Sequence, residues 1–187
     1  MRRVAIALVH YPVLDAQGAI VTSAVTNLDV HDLSRSAKTY GMSDYFVVTP
    51  IEAQRELVGK ICKHWAEGSS GRRIPARKEA LALVRIVASL EDAAAAMGGR
   101  DAVEVWTTGA RADGASLTMA EARGRVEGEG KGILIVYGTA WGLPPEVHAG
   151  ADARLAPIVG ARATGYNHLS VRSACAIYAD RLLGQRE

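Results

Sequence analysis

The stretch Gly132-Ile133-Leu134-Ile135-Val136-Tyr137-Gly138 decides the fold class. Its interior, 133–137, is apolar at every position, without the polar alternation of a strand that has one wet face. Such a run reads as a strand buried on both faces of a parallel sheet. Outward from it, strands and helices alternate. Residues 4–11 and 45–49 read as strands, the second ended by Pro50. Residues 20–25 read as a short extended stretch after the turn 15–18. The spacing of Val30, Leu33, Ala37 and Tyr40 predicts a helix over 28–40, with Asp29 as its N-cap and Gly41 as its stop. Further helices are predicted over 51–65, 117–126 and 171–183. One long helix is predicted over 77–97, on Leu83, Val84, Val87 and Leu90, stopped by Gly98-Gly99. Residues 102–108 and 153–158 read as strands, and 67–73 and 127–132 as loops. This alternation predicts an α/β fold, a mostly parallel sheet with helices on both faces. With no repeat or break in composition, 1–187 reads as one domain.

Of the 187 residues, 49% are hydrophobic and 22% charged, an ordinary globular balance that excludes a disordered tail. No apolar run approaches the roughly 18 residues of a membrane span, so no membrane partner is expected. The basic, then apolar N-terminus lacks a small-residue cleavage pattern and reads as a first strand, so the expected compartment is the cytoplasm. Cys62 and Cys175 make no disulfide framework. The net charge of +2 selects no partner. The basic residues are 17 Arg and 5 Lys, and Arg offers a planar fork for phosphate and base edges. Genome composition explains the same excess.

Several chemistries are excluded by pattern. No G-x-G-x-x-G or G-x-x-x-x-G-K-[ST] is present, and the glycines of 128–132 precede a strand where a phosphate loop must follow one. No G-x-S-x-G elbow is present. Cys62 and His64 are two apart on a predicted helix and do not face each other. The five histidines form no H-x-x-x-H or H-x-H pair, so no metal is expected. The turn Gly138-Thr139-Ala140-Trp141-Gly142-Leu143-Pro144-Pro145 lets a ligand approach the backbone at Gly138 and Gly142. Between 60 and 78, six cations (Lys60, Lys63, Arg72, Arg73, Arg77, Lys78) face one acid, Glu67, with His64 and Trp65 among them. Cations beside an aromatic suit an RNA backbone with a stacked base; a solvated charged loop is the plainer reading.

Three segments together carry a resemblance. The first, 26–41, opens on Thr26-Asn27 at a strand-to-helix junction and places Arg35 six residues before Gly41. The second is the buried strand and Gly-rich turn of 132–145. The third, 157–177, contains Tyr166-Asn167-His168-Leu169-Ser170-Val171-Arg172-Ser173-Ala174-Cys175-Ala176-Ile177. In this order they resemble motifs 1, 2 and 3 of the SPOUT, or α/β-knot, class of S-adenosylmethionine-dependent RNA methyltransferases. The whole chain is similar to a small stand-alone branch of that class. The resemblance implies a C-terminal trefoil knot, with 166–185 threading a loop, and an obligate homodimer that completes the site. It implies S-adenosylmethionine on Thr107, Thr108, Gly109, Tyr137, Gly138, Ile158, Asn167, His168, Leu169 and Ser170. It implies a catalytic Arg35, an RNA substrate (tRNA or rRNA) and no metal; from the basic stretch, Arg72, Arg73, Arg77 and Lys78 are the candidates for binding that RNA. Asp29 and His31 are the local candidates for a base.

The departures concern the methyl acceptor. His168 and Ser170 stand where the class often has Ser and Asn, Asn27 lies eight residues before Arg35, and Trp-Gly-Leu-Pro-Pro-Glu replaces the Gly-Gly-Glu of the guanine-N1 branch. Base nitrogen and ribose 2′-hydroxyl both remain open. A non-catalytic knotted RNA-binding dimer and a binder of another adenine-containing ligand are the rival readings. A bare backbone at Gly138 predicts that Gly138→Val weakens cofactor binding more than stability.

Overall fold

The computed structural model describes residues 1–111, 114, 116–161 and 165–186. Arg162, Ala163 and Thr164, within the third motif segment, lie outside the described residues. The chain runs β1 (Val4–Val9), β2 (Val13–Leu14), β3 (Ile20–Val21), α1 (Asn27–Thr39), β4 (Tyr45–Val48), α2 (Glu52–Glu67), α3 (Ser69–Arg73) and α4 (Pro75–Leu81). It continues through β5 (Val84–Val87), α5 (Leu90–Ala96), β6 (Val103–Thr107), α6 (Met119–Glu127), β7 (Gly132–Gly138), α7 (Pro145–Ala149), β8 (Ala153–Arg154) and α8 (Val171–Leu183).

Six strands form one sheet in the order β5-β4-β1-β7-β6-β8, and every pairing in it is parallel. The decisive stretch is β7, beside β1 at the centre, with Val4 opposite Ile133 and Val9 opposite Gly138. The period-two alternation sorts its side chains. Ile133, Ile135 and Tyr137 join Ile6, Leu8, Tyr45 and Val47 under α1, α6 and α8. Leu134 and Val136 join Ala5, Ala7, Val9, Phe46 and Val48 on the face that α5 covers. Each fully buried aliphatic side chain here contributes about 1.5–3 kcal/mol. Among the described residues, no helix is long and apolar enough to cross a membrane.

From β1 the chain moves to β4 and β5 on one side, and from β7 to β8 on the other. The C-terminal ends of β1 and β7 therefore flank a topological switch point, the place where open α/β sheets bind ligands. A small antiparallel pair, β2–β3, is fastened there: the Leu14 amide donates to the Gly142 carbonyl at 2.9 Å, and the Trp141 amide to the Leu14 carbonyl at 3.0 Å.

Four local expectations are corrected. The helix predicted over 77–97 is α4, β5 and α5. Val84–Val87 satisfies helical spacing, yet its β-branched residues pair in parallel with Tyr45–Val48, and Ser89 with Asp92 forms the capping box that starts α5. The loop expected over 67–73 contains the short helix α3. The extended stretch expected over 20–25 and the strand expected over 153–158 hold strands of only two residues each. The N-cap of α1 is Thr26 and not Asp29. The Thr26 side chain accepts from the Asp29 amide, which places Asp29 in the first turn.

Candidate functional site

The first turn of α1 is tied to α8. Asp29 is 4% exposed, and both its carboxylate oxygens are engaged. One accepts from Arg172 Nη1 at 2.6 Å and the other from the Thr26 hydroxyl at 2.6 Å. A carboxylate so engaged clamps α1 to α8. His31 points elsewhere. Its ring meets the Trp65 ring edge-on at 5.3 Å, and the Arg77 guanidinium lies 5.3 Å from the Trp65 centroid. Burial, first, and the neighbouring Arg77 lower the His31 pKa. Two residues apart on a helix, Asp29 and His31 face different neighbours, and the structure does not bring them together.

Arg35 stands on the solvent side of α1, its side chain 57% exposed and 3.7 Å from Asp32. It lines an open groove of about 560 Å³ between α1 and α8, with Asp32, Tyr40, Ser170, Arg172 and Ser173. Arg172 reaches Asp32 as well, at 3.8 Å. The groove thus joins Arg35 from the first motif to Ser170 from the third. Sequence reasoning quoted Arg172 inside the third motif and gave it no role. Its partner lies 143 positions away, and no local signal marks it.

Of the candidate cofactor residues, Thr107, Thr108, Gly109, Tyr137 and Gly138 lie at the C-terminal ends of β6 and β7, and Ile158, Asn167, His168, Leu169 and Ser170 lie between β8 and α8. Thr107 is buried, with its hydroxyl 2.9 Å from His148 Nδ1, and the Thr108 hydroxyl donates to the Val136 carbonyl at 3.0 Å. The Leu155 amide donates to the Thr107 carbonyl at 2.9 Å and brings the 155–160 segment alongside. Asn167 closes that segment into a compact turn. Its Nδ2 donates to the Ile158 carbonyl at 3.0 Å, and its Oδ1 accepts from the Gly160 amide at 2.8 Å. His168 lies against Tyr166, Leu169 is exposed, and Ser170 caps α8 by accepting from the Ser173 amide.

Two of these residues act differently from expectation. The Tyr137 side chain is buried beside Tyr178 and Cys175, so only its main chain is available at the turn. Burial pushes the Cys175 thiol up to about 12 and removes it from redox or nucleophilic chemistry at neutral pH. A Cβ at Gly138 would sit 2.7 Å from the Leu143 amide nitrogen and 2.8 Å from the Gly142 carbonyl carbon. The turn's own backbone requires that glycine. At Gly109, a Cβ would meet the Arg154 guanidinium at 2.8 Å.

The basic stretch is helical, so its cations are held on α2, α3 and α4. Arg72 donates to the Glu67 carbonyl at 3.4 Å, while Arg73 and Lys78 are exposed. Arg77 stacks on Trp65. The residues present fit an adenosine-bearing cofactor in kind. The strand-end turns offer main-chain donors and acceptors, and Val159 and Leu169 are exposed apolar side chains.

Residues 3–184 match the model of a family described as SAM-dependent RNA methyltransferase. A protein of Nitratidesulfovibrio vulgaris named tRNA (guanine-N(1)-)-methyltransferase is 42% identical over 179 residues, 95% of this chain. The chain spans only 41% of the length of that relative. A protein of Aquifex aeolicus named only as uncharacterized is 36% identical over 183 residues, covering 96% of this chain and 88% of its own. Among solved structures, that of TrmJ from Z. mobilis superposes with a TM-score of 0.63 at 16% identity, covering 100% of this chain and 70% of its own. At that identity the likeness is one of fold.

Proposed function

The chain belongs to the SAM-dependent RNA methyltransferase family, and from that premise we propose that it transfers a methyl group from S-adenosylmethionine to a nucleotide of RNA. The observation that carries this reading is the family match over 3–184, joined to strand-end turns gathered at one edge of a parallel sheet. When bound, the cofactor would supply an electrophilic methyl on sulfur: the acceptor's lone pair would bond to that carbon as the carbon–sulfur bond breaks, with S-adenosylhomocysteine as the leaving group and the acceptor's proton passing to solvent. The protein's part is to bind, orient and stabilise charge. The turns at Thr108, Gly138 and Ile158–Gly160 hold the cofactor through the main chain. Arg35, fixed on a helix and facing the groove, polarises the acceptor or grips its phosphate. Arg72, Arg73, Arg77 and Lys78 hold the RNA backbone, with Trp65 stiffening Arg77.

The name guanine-N1 methyltransferase belongs to relatives more than twice as long as the matched segment, so the acceptor here is a base nitrogen or a ribose 2′-hydroxyl of tRNA or rRNA. We take 1–187 as one catalytic domain, with 166–185 threaded as a trefoil knot. Its homodimer forms across the α1–α8 groove, in the cytoplasm. Mass spectrometry of nucleosides in RNA from a deletion strain tests the reading. One methylated nucleoside should vanish and return on complementation. Unchanged RNA, with the purified protein still binding it, would favour a non-catalytic RNA-binding dimer.

A further inference from the structure

Three side chains that the sequence reading left without a role meet at the switch point. His10 directly follows β1 and is fully buried. Its Nδ1 lies 2.9 Å from the Ser23 hydroxyl oxygen. Ser23 in turn bonds the Thr139 hydroxyl, and Thr139 donates to the Val9 carbonyl at 3.0 Å. The main chain runs the same way: the Ser23 amide donates to the His10 carbonyl at 2.8 Å and the Thr139 amide to the Val9 carbonyl at 3.2 Å. The chain of bonds therefore ties the segment that leads into Thr26, Asn27 and α1 to the residue that follows Gly138.

The direction of the protons is fixed by what each atom can do. The Val9 carbonyl only accepts, so the Thr139 hydrogen goes to it. Thr139 Oγ1 must then accept from Ser23. The single Ser23 hydrogen is thereby used, and its oxygen must accept from His10 Nδ1–H. His10 is the Nδ1–H tautomer, with its lone pair on Nε2. The reverse direction would set two oxygens 3.0 Å apart with no hydrogen between them. It would also bury an Nε2–H donor, and Nε2 finds no hydrogen-bond partner among the described residues. Buried donors without acceptors are rarer and costlier than spare lone pairs. Burial lowers the His10 pKa to about 4, so the ring stays neutral and the direction persists at physiological pH.

We propose that His10, Ser23 and Thr139 form a positioning relay that holds the acceptor-side segment 22–28 in register with the cofactor-side turn 138–143 for methyl transfer. The inference deepens the methyltransferase reading and rests on it. None of the three touches the reacting atoms. Their effect is on alignment, and an in-line displacement loses about 100-fold in rate for roughly 1 Å of misplacement.

Thr139→Val keeps the shape of the side chain and removes the hydroxyl; Thr139→Ser keeps the hydroxyl. Single-turnover methyl transfer to RNA is compared with calorimetric binding of S-adenosylhomocysteine and with Tm. Thr139→Val should slow transfer roughly 10- to 100-fold, with cofactor affinity within about threefold of wild type, and Thr139→Ser should restore most of the rate. A rate within about threefold of wild type for Thr139→Val, or a loss of cofactor affinity that matches the loss of rate, would overturn the proposal. Nitrogen-15 NMR of the His10 ring reads the relay without activity. It should report a neutral Nδ1–H ring at pH 7 that Ser23→Ala releases; an Nε2–H ring overturns the relay. If the wild type transfers no methyl group, the methyltransferase reading fails by itself, and the ring spectrum still decides the relay.

Discussion

Arg35 is the residue on which the catalytic account bears most heavily, and its surroundings isolate its role. Its carboxylate neighbour, Asp32, is 3.7 Å away and both side chains are well exposed, a pair worth under about 1 kcal/mol. Arg35 is the ninth of the thirteen residues of α1, outside the first and last turns where the helix dipole acts. Arg35→Ala should therefore leave Tm and cofactor binding almost unchanged while cutting methyl transfer by about 100-fold or more, the scale of one lost charge-stabilising donor. Arg35→Lys should rescue only partly, because a point charge cannot replace a fork. Gly138 is the contrasting case. The sequence suggested that a side chain there would displace cofactor; the structure puts the Leu143 amide and the Gly142 carbonyl carbon in the way. Gly138→Val should lower stability by roughly 1–3 kcal/mol or more in urea unfolding, and lose cofactor binding only together with the fold of the turn. A full-stability variant with abolished cofactor binding would restore the first expectation.

Between elements, the clamp joining α1 to α8 is the contact most exposed to test. Arg172→Ala removes the charged donor from a nearly buried Asp29. It should cost about 1.5–3 kcal/mol by urea unfolding, the scale of a hydrogen bond to a charged group. Arg172→Ala in an Asp29→Asn background should cost clearly less, since no buried charge is stranded; equal costs would show that the two residues do not interact. The clamp also marks where sequence reading ended. The bounds of α1, β4, β7 and α8 were legible because the helices carry a period, the strands are unbroken apolar runs, and stops such as Gly41, Pro50 and Gly184 follow them. The 77–97 region was misread because Leu83, Val84, Val87 and Leu90 satisfy a helical period and a strand equally well; only pairing with β4, 39 positions away in register, decides it. The candidate site divides the same way. The turns at strand ends were legible as local motifs. The Asp29–Arg172 bond and the Ser23–Thr139 bond close across 143 and 116 positions, and neither leaves a local trace.

For the whole molecule, the buried His10 sets a pH dependence. Its pKa is about 4 when folded against 6.5 as reference, so the unfolded chain binds the extra proton between those values. Stability from this group is fully present above about pH 6.5 and is lost as pH falls toward 4. The nearby charge of Asp29 pulls against the shift without cancelling it. The full effect is on the order of 3 kcal/mol, and His10→Gln should flatten the acid limb of the stability curve; an unchanged limb would refute the assignment. In the proposed function, the architecture serves one transaction, the movement of a methyl group onto RNA. The measurement that tests it most directly is transfer of labelled methyl from S-adenosylmethionine to RNA by the purified protein, side by side with Arg35→Ala. The account predicts label in one nucleoside with the wild type and about 1% of that rate with the variant. Equal labelling by both proteins would contradict the role of Arg35, and no labelling of any RNA by a wild-type protein that binds the cofactor would contradict the account itself.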